Sequence, residues 1–362
     1  MEAAFRSGRA AVGLCGRRYR PDFSVLFDSA GEGAICRTNL TEAARRGPNH
    51  RQVSVQMTIR IAIVGLGKIA RDQHLPAIEK DGRFELAAVA SRSAGVDGVP
   101  HFTDLSELLA SDVQFDAVAL CTPPQVRHTI ARQAIDAGKH VMLEKPPGAT
   151  LSEVEDLKAA AQAKGVTLQT TWHSRYATAV APAQTWLSGK TIKSVQINWK
   201  EDVRVWHPGQ TWIWQAGGLG VFDPGINALS IATVVLPAFF LEKATLHVPE
   251  NCQSPVEAQL TFRTVTGAPV QADFDFLQTG EQSWDIIIDT DGGELKLSHG
   301  GSRLWVDGQL THEGPDEEYP GLYDAFARLI AAGGSDVDVS PLRHVADAFL
   351  LGERVTAPAF IE

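Results

Sequence analysis

Residues Ile59 to Pro76 read IRIAIVGLGKIARDQHLP, and no other stretch constrains the fold as strongly. An apolar run, Ile59–Val64, leads directly into Gly65-Leu66-Gly67-Lys68-Ile69-Ala70. A strand passing through G-x-G-x-x-A into a helix is the pattern of a dinucleotide-binding βα turn. Gly65 allows the tight turn. Gly67 has no Cβ, so backbone N–H groups at Gly67, Lys68 and Ile69 can approach a pyrophosphate, which then sits on the positive helix N-terminus. Ala70 lets the helix pack closely on the strand. A glycine-rich surface turn is the alternative, and the strand directly before the motif decides against it.

The pattern continues as alternating strands and helices. Phe84–Ala90 reads as a strand ending in Ser91-Arg92-Ser93. An NAD-specific site places an acid there for the ribose 2′-hydroxyl; a hydroxyl and a guanidinium suit a 2′-phosphate better. Ser91 and Arg92 therefore point to NADP(H), with NAD(H) also accommodated. Helix Asp104–Ala110, strand Phe115–Leu120, helix Val126–Ala137, strand His140–Leu143, helix Leu151–Lys164 and strand Thr167–Thr171 follow. This succession predicts an α/β fold: a doubly wound parallel sheet with helices on both faces. Ligands bind at the carboxyl ends of such strands. Thr122 and Pro123 after one strand, His128 on the next helix, and Glu144 and Lys145 after another strand are the further candidate cofactor contacts. Taken alone, Glu144-Lys145 would read as a solvated surface pair.

The chain has 362 residues, 44% of them hydrophobic, enough for two domains. We place a dinucleotide-binding domain at 57–175 and a substrate-binding and dimerisation domain at 176–362. The net charge of −10 argues against nucleic acid or an anionic membrane as partner. Cys15, Cys36, Cys121 and Cys252 are scattered, with no metal-binding spacing, and no signal-peptide pattern is seen; both point to a reduced, cytoplasmic protein without a structural metal. Residues Met1–Gln56 carry many arginines and no lysine and show no helical or strand period. They read as an extension dispensable for the fold, with a targeting segment or a disordered arm as alternatives, and Met57 stands where such an enzyme would naturally begin.

From about Ser174 the pattern changes. A helix at Thr178–Ser188 and an alternating strand at Ile192–Asp202 precede helix Gly225–Val235. Strands Ala244–Pro249, Val256–Thr264, Val270–Phe276, Ser283–Thr290, Gly293–Ser298 and Arg303–Val306 predict a large open, mainly antiparallel sheet of about six strands. Helices Tyr319–Ala332 and Pro341–Val355 close the chain and are free to pack back near the first domain. The sheet's second face carries apolar residues too, and a partner subunit is its simplest cover.

Three groups carry chemistry. Lys145 beside Glu144 can hydrogen-bond a substrate hydroxyl from a cofactor cleft. In the run Gly217 to Asn227, glycines bring backbone close to a ligand, and Asp223 and Asn227 project to one side of a helix start; the plain alternative for Asp223 is a helix cap. Trp206 and His207, near Glu201 and among further tryptophans, offer a sugar an aromatic face and polar partners; the alternative is an aromatic loop core.

The runs VGLGKIARDQHLPAI, CTPPQVRH, AGKHVMLEKP and GGLGVFDPGIN resemble the Gfo/Idh/MocA oxidoreductase family from Ile59 onward. TWHSR and WKEDVR-x-WHPGQ-x-WIW are similar to its branch of bacterial L-arabinose and D-galactose 1-dehydrogenases. The resemblance implies a Rossmann domain joined to an α/β domain whose open sheet mediates dimerisation, and Lys145 near the nicotinamide. The family's usual pattern pairs an Asp with a His four residues later, where this chain has Asn227, as those aldose dehydrogenases do. The implied reaction oxidises C1 of an aldopyranose held among Lys145, His173, Glu201, Trp206, His207, Asp223 and Asn227 to a lactone. Asp223 or Lys145 takes the hydroxyl proton, and Asp223 is preferred because a protonated lysine is no base. Other readings are a polyol or inositol dehydrogenase, an aldose–aldose oxidoreductase, and an NADP-binding sensor.

Overall fold

A computed structural model of the protein describes residues 58–362. The expectations for Met1–Gln56 and for a start at Met57 lie outside the described residues.

Strand β1 (Ile59–Val64) is buried from Ile61 onward because it lies inside a six-stranded sheet. The others are β2 (Phe84–Ala90), β3 (His101–Phe102), β4 (Ala117–Leu120), β5 (His140–Leu143) and β6 (Leu168–Thr170), in the order β3-β2-β1-β4-β5-β6 and all parallel. Between them run α1 (Leu75–Lys80, continuing a helical turn at Ala70–His74), α2 (Leu105–Ala110), α3 (Pro124–Asp136) and α4 (Leu151–Lys164). Helix α4 begins at a reciprocal Thr150–Glu153 capping box and stops where Gly165 turns left-handed. Strand order reverses between β1 and β4, which opens a crevice at their carboxyl ends.

The second sheet has nine strands, not about six. Helix α5 (Val180–Leu187), β7 (Ile192–Lys200), α6 (Val203–Trp206) and α7 (Phe222–Val235) come first. Then follow β8 (Phe239–Pro249), β9 (Glu257–Thr264), β10 (Pro269–Asp275), β11 (Ser283–Thr290), β12 (Gly293–Ser298), β13 (Arg303–Val306) and β14 (Gln309–Glu313). After α8 (Glu318–Ala332) and α9 (Ser340–Leu351), β15 (Glu353–Ala357) ends the series. The order is β14-β13-β12-β11-β7-β10-β9-β8-β15, antiparallel except for the β7–β10 and β8–β15 pairs. Strand β14 arises because Asp307 and Gly308 both take positive φ (48° and 74°), which makes a tight hairpin after β13. The expected helix Pro341–Val355 stops at Leu351, since Gly352 turns extended and the Val355-Thr356 run pairs with β8.

Helix α7 starts at Phe222, three residues before the expected Gly225, because Pro224 falls in the first turn, where its missing N–H needs no partner. It is buried nearly all round, with Phe222 edge-on to Phe274 and tilted against Phe349. Helix α8 packs on the first sheet: Tyr319, Leu322, Tyr323 and Phe326 share a core with Ile61, Ile63, Phe84 and Met142. Helix α9 packs with α7 and β8, placing Leu342, Val345 and Ala348 in the second core. The outer face of the nine-stranded sheet is more polar than expected. Its central strands present Gln196, Asn198 and Asp273, joined by hydrogen bonds.

Candidate active site

The loop between β1 and the first helix has the geometry its glycines dictate. Gly65 sits at φ 92°, and a Cβ there would meet Thr122 Cγ2 at 3.0 Å and the Cys121 carbonyl carbon at 3.1 Å. Gly67 is exposed, and a Cβ there would meet no protein atom within 4 Å. The space a side chain would fill at Gly67 is therefore open. Beside this turn, Thr122 Oγ1 is buried without a protein partner. An open cradle at a helix start and an orphan hydroxyl fit the pyrophosphate of a dinucleotide. Lys68 is exposed and pairs with Asp72 one turn on; Ile69 opens the helix. At the end of β2, Ser91 is buried with its carbonyl accepting from His101 Nε2 (2.8 Å), while Arg92 is exposed. His128 is engaged elsewhere: its Nε2 pairs with Asp156 of α4 at 2.9 Å.

Glu144 and Lys145, adjacent in sequence, face different environments. Glu144 is 3% exposed. Its carboxylate accepts from His74 Nε2 (2.9 Å), the Tyr319 hydroxyl (2.8 Å) and the Lys145 N–H (2.9 Å). Burial pushes its pKa up, but the His74 hydrogen bond and charge and the nearby His173 outweigh that and bring it to about 2. Burial pulls His74 down, yet the facing Cys121, Tyr323 and Glu144 raise it well above the usual value. A buried imidazolium–carboxylate pair thus lies beneath the Lys145 turn, and its partners come from α8. With both carboxylate oxygens engaged inside the protein, the Glu144 side chain supports the Lys145 backbone. His173 joins the same network. Its Nδ1 donates to Glu318, and its ring stacks on Tyr319 at 5.4 Å.

Lys145 points the other way, toward α7. Its Nζ donates to the Asp223 carbonyl (3.0 Å) and lies 3.4 Å from Asp223 Oδ2. His207 Nε2 stands 3.6 Å from the same carboxylate oxygen and 3.7 Å from Glu201 Oε1. Glu201 Oε2 accepts from Trp284 Nε1 at 2.8 Å. Asp223 is not a helix cap: Val221 holds the N-cap position, without a side-chain bond. Asn227 follows one turn along α7, half-buried. Trp206 is 41% exposed and meets Trp284 edge-to-face at 5.5 Å. By contrast, Trp199 is buried in the second core. The pair therefore joins exposed Trp206 to half-buried Trp284, which stands opposite Trp199 on the neighbouring strand and which the sequence reading missed.

The glycines of the 217–225 run serve packing rather than a ligand. A Cβ at Gly218 would meet the Trp212 carbonyl oxygen at 2.3 Å, one at Gly220 the Pro255 oxygen at 2.2 Å, and one at Gly225 the Phe274 ring at 2.7 Å. Close approach of the chain to itself sets the start of α7 and hence Asp223. Also missed was Arg127, in the middle of the CTPPQVRH run. It is 3% exposed, and its guanidinium donates to the carbonyls of Thr122, Glu144 and Pro146. It ties the cofactor-facing turn after β4 to the turn that carries Lys145.

The assembled site holds a dinucleotide cradle, a lysine, two buried carboxylates bridged by a histidine, and a tryptophan pair of which Trp206 is exposed. Residues 59–171 match the model of an oxidoreductase family with an NAD-binding Rossmann fold, GFO_IDH_MocA. The galactose 1-dehydrogenase of Pseudomonas fluorescens is 48% identical over 305 residues, covering 84% of this chain and 99% of that protein. The crystal structure of a D-galactose-1-dehydrogenase from Rhizobium etli is 57% identical, with a TM-score of 0.81 over 84% of this chain and 98% of the other. A 3-ketoreductase of Actinomadura kijaniata, KijD10, solved with NADP, shares the fold at 20% identity, with a TM-score of 0.73 over 83% of this chain and all of its own. The fold, the motifs in their order and relatives matched along nearly their whole length agree: this chain belongs to the Gfo/Idh/MocA oxidoreductase family.

Proposed function

We propose that the protein is an NAD(P)-dependent aldose 1-dehydrogenase that oxidises C1 of L-arabinose, D-galactose or both to the aldono-lactone. The observation that carries this reading is the Asp223 carboxylate, buried but held 3.4 Å from Lys145 Nζ and 3.6 Å from His207 Nε2, on the helix that follows the tryptophan-bearing loop. The relatives named above for galactose oxidation add their weight. Residues 57–175 form the cofactor domain and residues 176–362 the substrate domain in this reading.

The dinucleotide, when bound, supplies the hydride acceptor. Gly65, Gly67, Lys68 and Ile69 hold its pyrophosphate on helix N–H groups, and Thr122 and Pro123 line its path along the strand ends. Ser91 and Arg92 receive the 2′ position, which favours NADP over NAD. Asp223 accepts the proton of the C1 hydroxyl. Lys145, fixed by the Asp223 carbonyl, donates a hydrogen bond to that oxygen and keeps the carboxylate oriented. Glu201, His207 and Asn227 bind further hydroxyls, Trp206 offers the sugar's C–H face an aromatic surface, and His173 borders the site from the Tyr319 side.

Among the described residues the nine-stranded sheet has helices on one face only, so a second copy of the chain is the proposed cover of the other; light scattering on the purified protein tests this. We place the enzyme in the cytoplasm, where reduced nicotinamide turns over, and cell fractionation decides that point. The defining experiment offers L-arabinose, D-galactose, D-xylose, D-glucose and myo-inositol with NADP and with NAD, following absorbance of the reduced nicotinamide. Reduction with arabinose or galactose is expected, faster with NADP. Reduction with inositol alone, or with no sugar, would sink the reading.

A further inference from the structure

The segment 358–362 reaches back over the loop that carries Trp206 and His207. Asn251 grips Phe360 twice: its amide donates to the Phe360 carbonyl (2.8 Å), and its side-chain oxygen accepts from the Phe360 N–H (2.9 Å). The Arg204 guanidinium, one turn from His207, covers the Phe360 ring at 5.3 Å and donates to the Ile361 carbonyl (3.3 Å). The Gly209 N–H donates to the Glu362 carboxylate. Ring contacts then run inward: Phe360 to Trp214 at 4.7 Å, Trp214 to Phe276 at 5.9 Å, and Phe276 to His207 at 5.5 Å. An unbroken aromatic path joins the segment to the imidazole that faces Asp223 and Glu201.

The loop needs such support. Between β7 and α7 it has only two single helical turns, Val203–Trp206 and Thr211–Trp214, and Val205 and Trp206 are exposed. Ordering a loop of this kind at the moment of binding costs affinity, and a loop held in place beforehand avoids that cost. We infer that Phe360 and Glu362 are positioning residues for the sugar: they hold residues 203–214 so that Trp206 meets Trp284 and His207 meets Asp223. The inference rests on the aldose reading above and adds to it a part of the chain far from the site in sequence.

Three variants test it: Phe360→Ala, Phe360→Tyr, and deletion of 358–362. Phe360→Ala and the deletion are expected to raise the aldose KM by roughly three- to tenfold, the worth of an aromatic pair. The kcat and the cofactor KM stay within about twofold, because binding of the sugar is weakened equally in the ground state and the transition state. Phe360→Tyr keeps the ring contacts and restores the KM. Amide hydrogen exchange should speed up in 203–214, at Gly209 above all, and nowhere in the first sheet. An unchanged aldose KM in the deletion, or a loss confined to kcat, overturns the inference while leaving the aldose reading intact. Should the unaltered protein oxidise no aldose, that reading fails, and exchange at 203–214 still separates a segment that holds the loop from one that merely lies on it: unchanged exchange overturns the inference there too.

Discussion

Replacing His344 by phenylalanine should remove an acid-sensitive element from the second core. His344 lies on α9 with its ring stacked on Phe239 at 4.3 Å and edge-on to Phe262 at 5.4 Å. Its Nδ1 is buried without a partner. Burial, aided by the charge of neighbouring Arg343, lowers its pKa from the usual 6.5 to about 4. The sign follows directly. Between the two values the unfolded chain binds a proton that the folded one refuses, so stability falls as pH drops below 6.5. The full gap of about 2.5 pH units corresponds to about 3.4 kcal/mol, of which about 2 kcal/mol is already lost at about pH 5. His140 shifts in the same direction, so the wild type alone does not isolate His344. His74, whose raised pKa adds stability as the pH falls toward 6.5, contributes equally to wild type and variant, and the advantage of the depressed Glu144 is lost only below its usual 4.5. The assay is urea unfolding followed by tryptophan fluorescence, for wild type and His344→Phe, at neutral pH and at about pH 5. Phenylalanine keeps the ring contacts and removes an unpaired nitrogen, so the variant should be at least as stable at neutral pH. It should lose about 2 kcal/mol less than wild type on acidification. Equal losses in the two proteins would show that His344 is not held neutral by its surroundings, and the burial argument would fail.

Gly67→Val separates cofactor binding from folding. No protein atom lies within 4 Å of the added carbon, so melting should be unchanged while the cofactor KM rises at least about tenfold; an unchanged KM would mean that the pyrophosphate does not sit there. Asp223→Ala should lower kcat by roughly a hundredfold or more and leave cofactor affinity nearly intact, and normal turnover in that variant rules out Asp223 as the base. Arg127→Met should cost about 3 to 5 kcal/mol in chemical unfolding. Three buried carbonyls lose their donor, and this outweighs the relief of a guanidinium that burial has already drawn down to about 10. Wild-type stability in that variant would mean that water replaces the guanidinium at no cost.

The first sheet was nearly all legible because its order is written locally. Each strand is a short apolar run, each helix has its own start or stop signal such as Thr150 or Gly165, and each ligand-bearing turn directly follows a strand. The two-residue β3 carried no such signal and was missed. In the second half the antiparallel strands other than β14 were found by alternation, whereas the first three residues of β15 were read as helix because they adjoin a true helix, and β15, itself the edge of the sheet, pairs only with β8, 108 residues earlier in the chain. The residues proposed to handle the proton were visible for the same local reason: Lys145 and Asp223 each lie in a conspicuous motif. What sequence concealed is which of two adjacent residues faces Asp223. Glu144 and Lys145 look like one functional pair, but successive residues leaving a strand point to opposite sides. One side holds Asp223 and His207; the other holds His74, Tyr319 and Tyr323, the tyrosines reaching Glu144 and His74 from 175 and 249 residues away. Helix α8 places those hydroxyls in the first core, and only with it in place does a carboxylate buried under the cofactor cleft become a support instead of a cost. A motif tells where a charged side chain begins, while the partners that decide its role are set by tertiary packing.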